Sequence, residues 1–145
     1  MDDKLDDFVN NLQEQIFKET KATYGETVFQ RWLNPVYMGN IEDPDAYAHQ
    51  QGTCGDSIEI FLKFNADRVA KASFTTDGCG ASAVCCSFAA EMAIGKNPDE
   101  LLEITGDAIL KKIGGLPRED EHCAFLASAT LQEALNNYML KQTKA

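Results

Sequence analysis

Leu5, Phe8, Val9, Leu12 and Ile16 recur three and four residues apart, the spacing that lines one face of an α-helix, and four aspartates stand near the start, where a helix dipole favours negative charge. The pattern predicts an N-terminal amphipathic helix over about residues 3–24, ended by Gly25. Val28, Phe29, Trp32 and Leu33 then form an apolar patch expected to pack on the core, and Pro35 disfavours helical geometry at Asn34. From Asn34 to Gln51 the turn-forming residues predict a loop with at most one short strand, around 46–50. Ile58, Ile60, Leu62 and Phe64 alternate with Glu59, Phe61 and Lys63, Asn65-Ala66-Asp67 turns the chain, and residues 69–75 again have strand character. That alternation predicts a hairpin.

After Gly80 the period changes. Ala81, Val84, Phe88 and Met92 share one helical face, with Gly95 placed to end the helix. Asn97-Pro98-Asp99-Glu100 opens a short helix, residues 107–113 form another, and Gly114-Gly115-Leu116-Pro117 interrupts again. Cys123, Leu126, Ala127, Thr130, Leu131, Ala134, Leu135 and Tyr138 then run at helical period. Strands followed by helices predict an α+β fold, a small antiparallel three-stranded sheet packed against several helices. With no repeat and no low-complexity tract, residues 1–145 read as a single domain.

Composition narrows the classes of function. The chain is 44% hydrophobic, enough for a domain of this size to bury roughly two-thirds of its unfolded surface without staples. A net charge of −10 argues against binding a nucleic-acid backbone, which requires clustered Lys and Arg. Five cysteines are an odd number and are not spaced like the framework of a small secreted domain, so reduced thiols are expected. The acidic first residues resemble neither a secretion signal nor an organelle presequence, and no run reaches the ~18 apolar residues of a membrane span. The expectation is a cytoplasmic protein with no membrane partner.

Three stretches hold cysteines in company suited to metal chemistry: Gly52-Thr53-Cys54-Gly55-Asp56, Asp77-Gly78-Cys79-Gly80-Ala81-Ser82 and Glu121-His122-Cys123. Thiolate, imidazole and carboxylate bind zinc or ligate the iron of a cluster, and the glycines let backbone approach an inorganic group. If Cys54-Gly55-Asp56 is extended, Cys54 and Asp56 point the same way and can share an ion. Cys79 precedes one helix and Cys123 begins another, where the dipole favours thiolate. The intervals of 25 and 44 residues between these cysteines match no zinc-finger pattern. Free cysteine more often packs as a small hydrophobe, the reading given to Cys85 and Cys86, with a sulfur relay or a regulatory disulfide as the alternative; Cys86 stands about 10 Å along a helix from Cys79, far for a shared iron. His49, in a polar segment, is expected to be solvated.

Taken in order, Asn34-Pro35 with Gly39, Cys54-Gly55-Asp56, Gly78-Cys79-Gly80-Ala81-Ser82, and Leu116-Pro117 with His122-Cys123 resemble the iron–sulfur cluster assembly scaffolds IscU and the N-terminal domain of NifU. The resemblance spans roughly residues 30–141 and implies the SufE/NifU-like fold. It implies a scaffold rather than an enzyme: sulfur is accepted from a cysteine desulfurase as a persulfide, joined to iron in a transient [2Fe-2S] cluster, and the cluster passed to apo iron–sulfur proteins. It also implies site residues, namely Cys54, Asp56, Cys79, His122 and Cys123 for iron or cluster, with Cys123 as persulfide acceptor. Three motif cysteines with an imidazole or carboxylate as fourth donor would hold a cluster less firmly than the four cysteines of a stable site.

The same resemblance carries an alternative, a zinc-binding SufU-like sulfur acceptor that stimulates the desulfurase, although His122 stands where that branch typically has arginine. A zinc hydrolase with Asp56 as general base ranks last, because no substrate pocket is visible in the sequence. In IscU an Hsp70-type chaperone reads a proline, a valine and a lysine after Leu-Pro; here Arg118, Glu119, Asp120 and Glu121 follow, so that chaperone is not expected as a partner. A homodimer is left open.

Overall fold

The computed structural model describes residues 2–52, 55–78 and 80–144, with side chains from Lys4 to Gln142 within those limits. The expected hairpin is present, with strand β1 (Ala46–Gln51) added ahead of it: β2 (Ser57–Asn65) pairs antiparallel with both β1 and β3 (Arg68–Thr76), giving the order β1-β2-β3. Ala66 and Asp67 both take left-handed φ, 53° and 63°, the two-residue turn whose twist matches that of the strands it joins. A register shift at Lys63/Phe64 accommodates the extra residue Ala70 and returns Val69 to the core face.

The pleat then sorts the two faces. Ala46, Ala48, Ile58, Ile60, Leu62, Ala72 and Phe74 are buried under the helices, while Tyr47, His49, Glu59 and Thr75 occupy the other face. His49 is exposed, as expected. Phe61 departs from simple alternation: on the open face it is buried against Tyr47, ring centroids 5.1 Å apart.

Six α-helices complete the described fold. α1 (Asp2–Tyr24) leaves its apolar residues Leu5, Phe8, Val9, Leu12 and Ile16 exposed and first meets the body at Phe17, whose ring packs edge-on against Phe29 and Trp32 of α2 (Glu26–Leu33). Val28 and Phe29 are buried as anticipated, but Leu33, expected in the same patch, is exposed, because the helix turns Val28 and Phe29 rather than its last residue toward the core.

The helix α3 (Gly80–Ala93) differs more from its expected single face. Ser82, Cys85, Cys86, Ser87, Ala89 and Ala90 are buried along with Ala81, Val84 and Phe88, since the helix is covered by the sheet, α2 and the last helix together. Small side chains permit that close packing on all sides. α4 (Pro98–Leu101) starts at a capping box in which Asn97 and Glu100 exchange hydrogen bonds. α5 (Gly106–Ile113) is capped by Thr105 and ended by Gly114 at φ 94°. A 3-10 turn at Arg118–Asp120 leads into α6 (Glu121–Lys144), which packs across the sheet and α3. Among the described residues no helix is long and apolar enough to cross a membrane.

Candidate functional site

The beginning of β2, the end of β3 and the first turns of α3 and α6 converge at one end of the molecule. Local hydrogen bonds fix the end of β3 against β2: Asp77 Oδ1 accepts from the Ser57 N–H at 2.7 Å, Thr76 Oγ1 donates to the Ser57 carbonyl at 2.7 Å, and the Gly78 N–H donates to Thr76 Oγ1 at 3.0 Å. On the other side of Ser57, Asp56 points back across Gly78. A Cβ on residue 78 would lie 2.7 Å from Asp56 Cγ, so this glycine makes room for the carboxylate.

Gly80 has a parallel duty. A Cβ there would lie 2.4 Å from Trp32 Cδ1, so the start of α3 is seated directly against the indole. The glycines on both sides of Cys79, read from sequence as clearance for an inorganic group, therefore also admit an aspartate and a tryptophan of this chain. Gly55, beside Cys54, has φ 93°, a conformation glycine adopts without a Cβ penalty.

From Asp56 a chain of polar atoms crosses the site. Ser82 Oγ donates to Asp56 Oδ2 at 2.8 Å and lies 3.4 Å from Cys123 Sγ, which is 3.6 Å from Nε2 of His122. Ser82 and Cys123 are wholly buried, Asp56 is half-buried and His122 is exposed. Carboxylate, hydroxyl, thiol and imidazole thus run from a half-buried start through the interior to the surface. Cys123 is the third residue of α6, within the turn where the dipole favours negative charge on sulfur.

The structure brings together three of the five residues expected from sequence, Asp56, His122 and Cys123; the other two, Cys54 and Cys79, lie outside the described residues. Among the described residues no three His, Cys, Asp or Glu side chains are grouped to hold a metal ion, and the expected ligand set needs both undescribed cysteines. Cys85 and Cys86 are wholly buried in α3, and burial pushes the Cys86 thiol well above its ordinary range, with Cys85 and Cys123 adding to the effect. Both pack as small side chains inside the fold.

Sequence reasoning missed Ser82 as a participant. The residue lies within one of the cysteine motifs, and the signal for a role is only a hydroxyl in the first turn of a mostly apolar helix. Sequence reasoning also missed Tyr24, whose hydroxyl donates to Asp120 Oδ2 at 2.8 Å, tying the end of α1 to the turn that precedes His122.

Comparison with known proteins gives the class. Residues 23–145 match the model of the NifU-like N terminal domain, and the chain belongs to that family of iron–sulfur cluster assembly scaffolds. It is similar to the iron-sulfur cluster assembly scaffold protein IscU 1 of Archaeoglobus fulgidus, 38% identical over 122 residues that cover 83% of this chain and 80% of that one. The IscU scaffold protein of Aquifex aeolicus is 34% identical, covering 82% of this chain and 78% of the other.

Solved structures agree on the fold. A NifU-like protein (N-terminal) from Brucella abortus superposes with a TM-score of 0.66 at 19% identity, over 83% of this chain and 97% of that one. A SufU protein of the SUF system from Fervidobacterium islandicum gives 0.62 at 18% identity, over 80% and 98%.

Proposed function

We propose that this protein is a scaffold on which a labile [2Fe-2S] cluster is assembled and then passed to apo-proteins. The observation that supports it most is the line Asp56–Ser82–Cys123–His122, in which a buried thiol lies between a carboxylate and an exposed imidazole. Cys123 accepts sulfur: its thiolate attacks the terminal sulfur of a desulfurase persulfide, the new S–S bond forms, and the desulfurase thiolate leaves. Reduction of that sulfur to sulfide consumes two electrons from an external donor, and Fe²⁺ or Fe³⁺ is the second substrate.

Cys54, Cys79, Cys123 and either Asp56 or His122 hold the growing cluster. A carboxylate or imidazole is a harder and protonatable donor than thiolate, so an incoming cysteine of a recipient displaces it readily. The cluster is cargo, and the weak fourth ligand is what lets it go.

Incubation with a cysteine desulfurase and cysteine, followed by mass spectrometry, tests the sulfur step. The expected result is one added sulfur on the Cys123 peptide, lost in Cys123→Ser. Persulfide accepted at full rate by that variant would contradict the assignment. Zinc held firmly on the same residues, with faster desulfurase turnover and no labile sulfide, would instead identify a zinc-binding SufU-like acceptor.

A further inference from the structure

Ser82 is a wholly buried hydroxyl that touches two proposed ligands at once, and the reaction as described gives it no part. Its single hydrogen serves one acceptor at a time. At 2.8 Å, the Asp56 carboxylate is the stronger acceptor and takes it for most of the time, with the Cys123 sulfur 3.4 Å away as the weaker acceptor of the same hydrogen. The hydroxyl therefore fixes the carboxylate of the β1–β2 connection against the thiol of α6. The two are 67 positions apart in the chain (123 − 56), and Ser82 Oγ lies within reach of both.

The placement of Ser82 is rigid. It sits in the first turn of α3, which Trp32 seats over Gly80 and the sheet, α2 and α6 enclose. Asp56 is confined from the other side by the backbone at Gly78, where no Cβ fits. Replacing a side chain that holds a metal ligand in one orientation typically costs about 10- to 100-fold in metal affinity.

We infer that Ser82 is a positioning residue for metal loading: it holds the Asp56 carboxylate and the Cys123 sulfur in the mutual orientation that an incoming metal ion or cluster requires. This rests on the scaffold reading, in which both residues are ligands. It makes a serine outside the proposed ligand set a determinant of metal affinity.

The test compares wild type, Ser82→Ala, Ser82→Thr and Ser128→Ala, purified without oxygen and titrated with Co²⁺ and with Zn²⁺ against a chelator. Ser128 is a buried serine of α6 that donates to the Ile104 carbonyl, and serves as control for loss of a buried hydroxyl. Ser82→Ala is expected to bind both ions roughly ten- to a hundredfold more weakly, with a changed sulfur-to-cobalt charge-transfer band. Ser82→Thr, which keeps the hydroxyl, should restore the band, and Ser128→Ala should match wild type.

Circular dichroism separates misfolding from altered binding, and Ser82→Thr carries the test if Ser82→Ala does not fold. Wild-type affinity and spectrum in a folded Ser82→Ala would overturn the role of Ser82 while leaving the scaffold intact, as would a folded Ser82→Thr without the wild-type band. A wild type that binds neither ion and builds no cluster would overturn both.

Discussion

Replacing Gly80 by alanine isolates the contact that seats α3. The added Cβ would stand 2.4 Å from Cδ1 and 2.5 Å from Nε1 of Trp32, well inside contact distance, and an indole packed between Phe17 and Phe29 has little room to retreat. Overpacking of this kind costs about 1–3 kcal/mol. Alanine returns up to about 1 kcal/mol of helix propensity, less at a first helical position, so the net loss should be about 1–2 kcal/mol. With a urea m-value of about 2 kcal/mol/M, the midpoint should fall by about 0.5–1 M.

Trp32 is the only tryptophan, so its emission reports both unfolding and local displacement. A red shift in the folded state is expected. In a Trp32→Leu background, followed by circular dichroism, Gly80→Ala should cost far less, because the clashing ring is gone. Unchanged stability and emission in Gly80→Ala, or an equal cost in both backgrounds, would refute the steric argument.

Ala66 takes a left-handed φ of 53°, strained by about 1 kcal/mol for alanine, so Ala66→Asn should raise stability by about 0.5–1 kcal/mol in thermal or urea unfolding. The Glu100 carboxyl is held below its ordinary range by the Asn97 backbone N–H and then by Arg68. A depressed folded-state value means that stability is present above the ordinary carboxylate range and lost as pH falls through the depressed value, so Glu100→Gln should be less stable than wild type at neutral pH and converge with it in acid. Cys86→Ala should cost about 1–2 kcal/mol through lost packing yet leave persulfide formation on Cys123 at the wild-type rate; loss of sulfur acceptance in a folded variant would contradict a packing role.

What could be read from sequence follows the strength of local signals. The β2–β3 hairpin and α6 were plain because one face of each is buried, and burial writes a period of two or 3.6 into the chain. α3 was only partly legible, since a helix enclosed on nearly all sides has no apolar stripe, and its buried serines and cysteines look much like a solvated face. Leu33 was misplaced because four apolar residues in six positions fit more than one orientation. Asp56, His122 and Cys123 stood out by residue type within motifs, whereas Ser82 gains its significance only from Asp56 and Cys123, distant in sequence. The pairing of Gly80 with Trp32 is likewise a property of how α2 lies on α3.

The most direct test of the scaffold reading is iron and acid-labile sulfide on this protein after anaerobic incubation with Fe²⁺, cysteine, a reductant and a cysteine desulfurase, repeated after apo-ferredoxin is added. Iron and sulfide are expected in equal amounts, both leaving with the ferredoxin. Zinc without labile sulfide, or a cluster that stays on this chain, would contradict the scaffold reading.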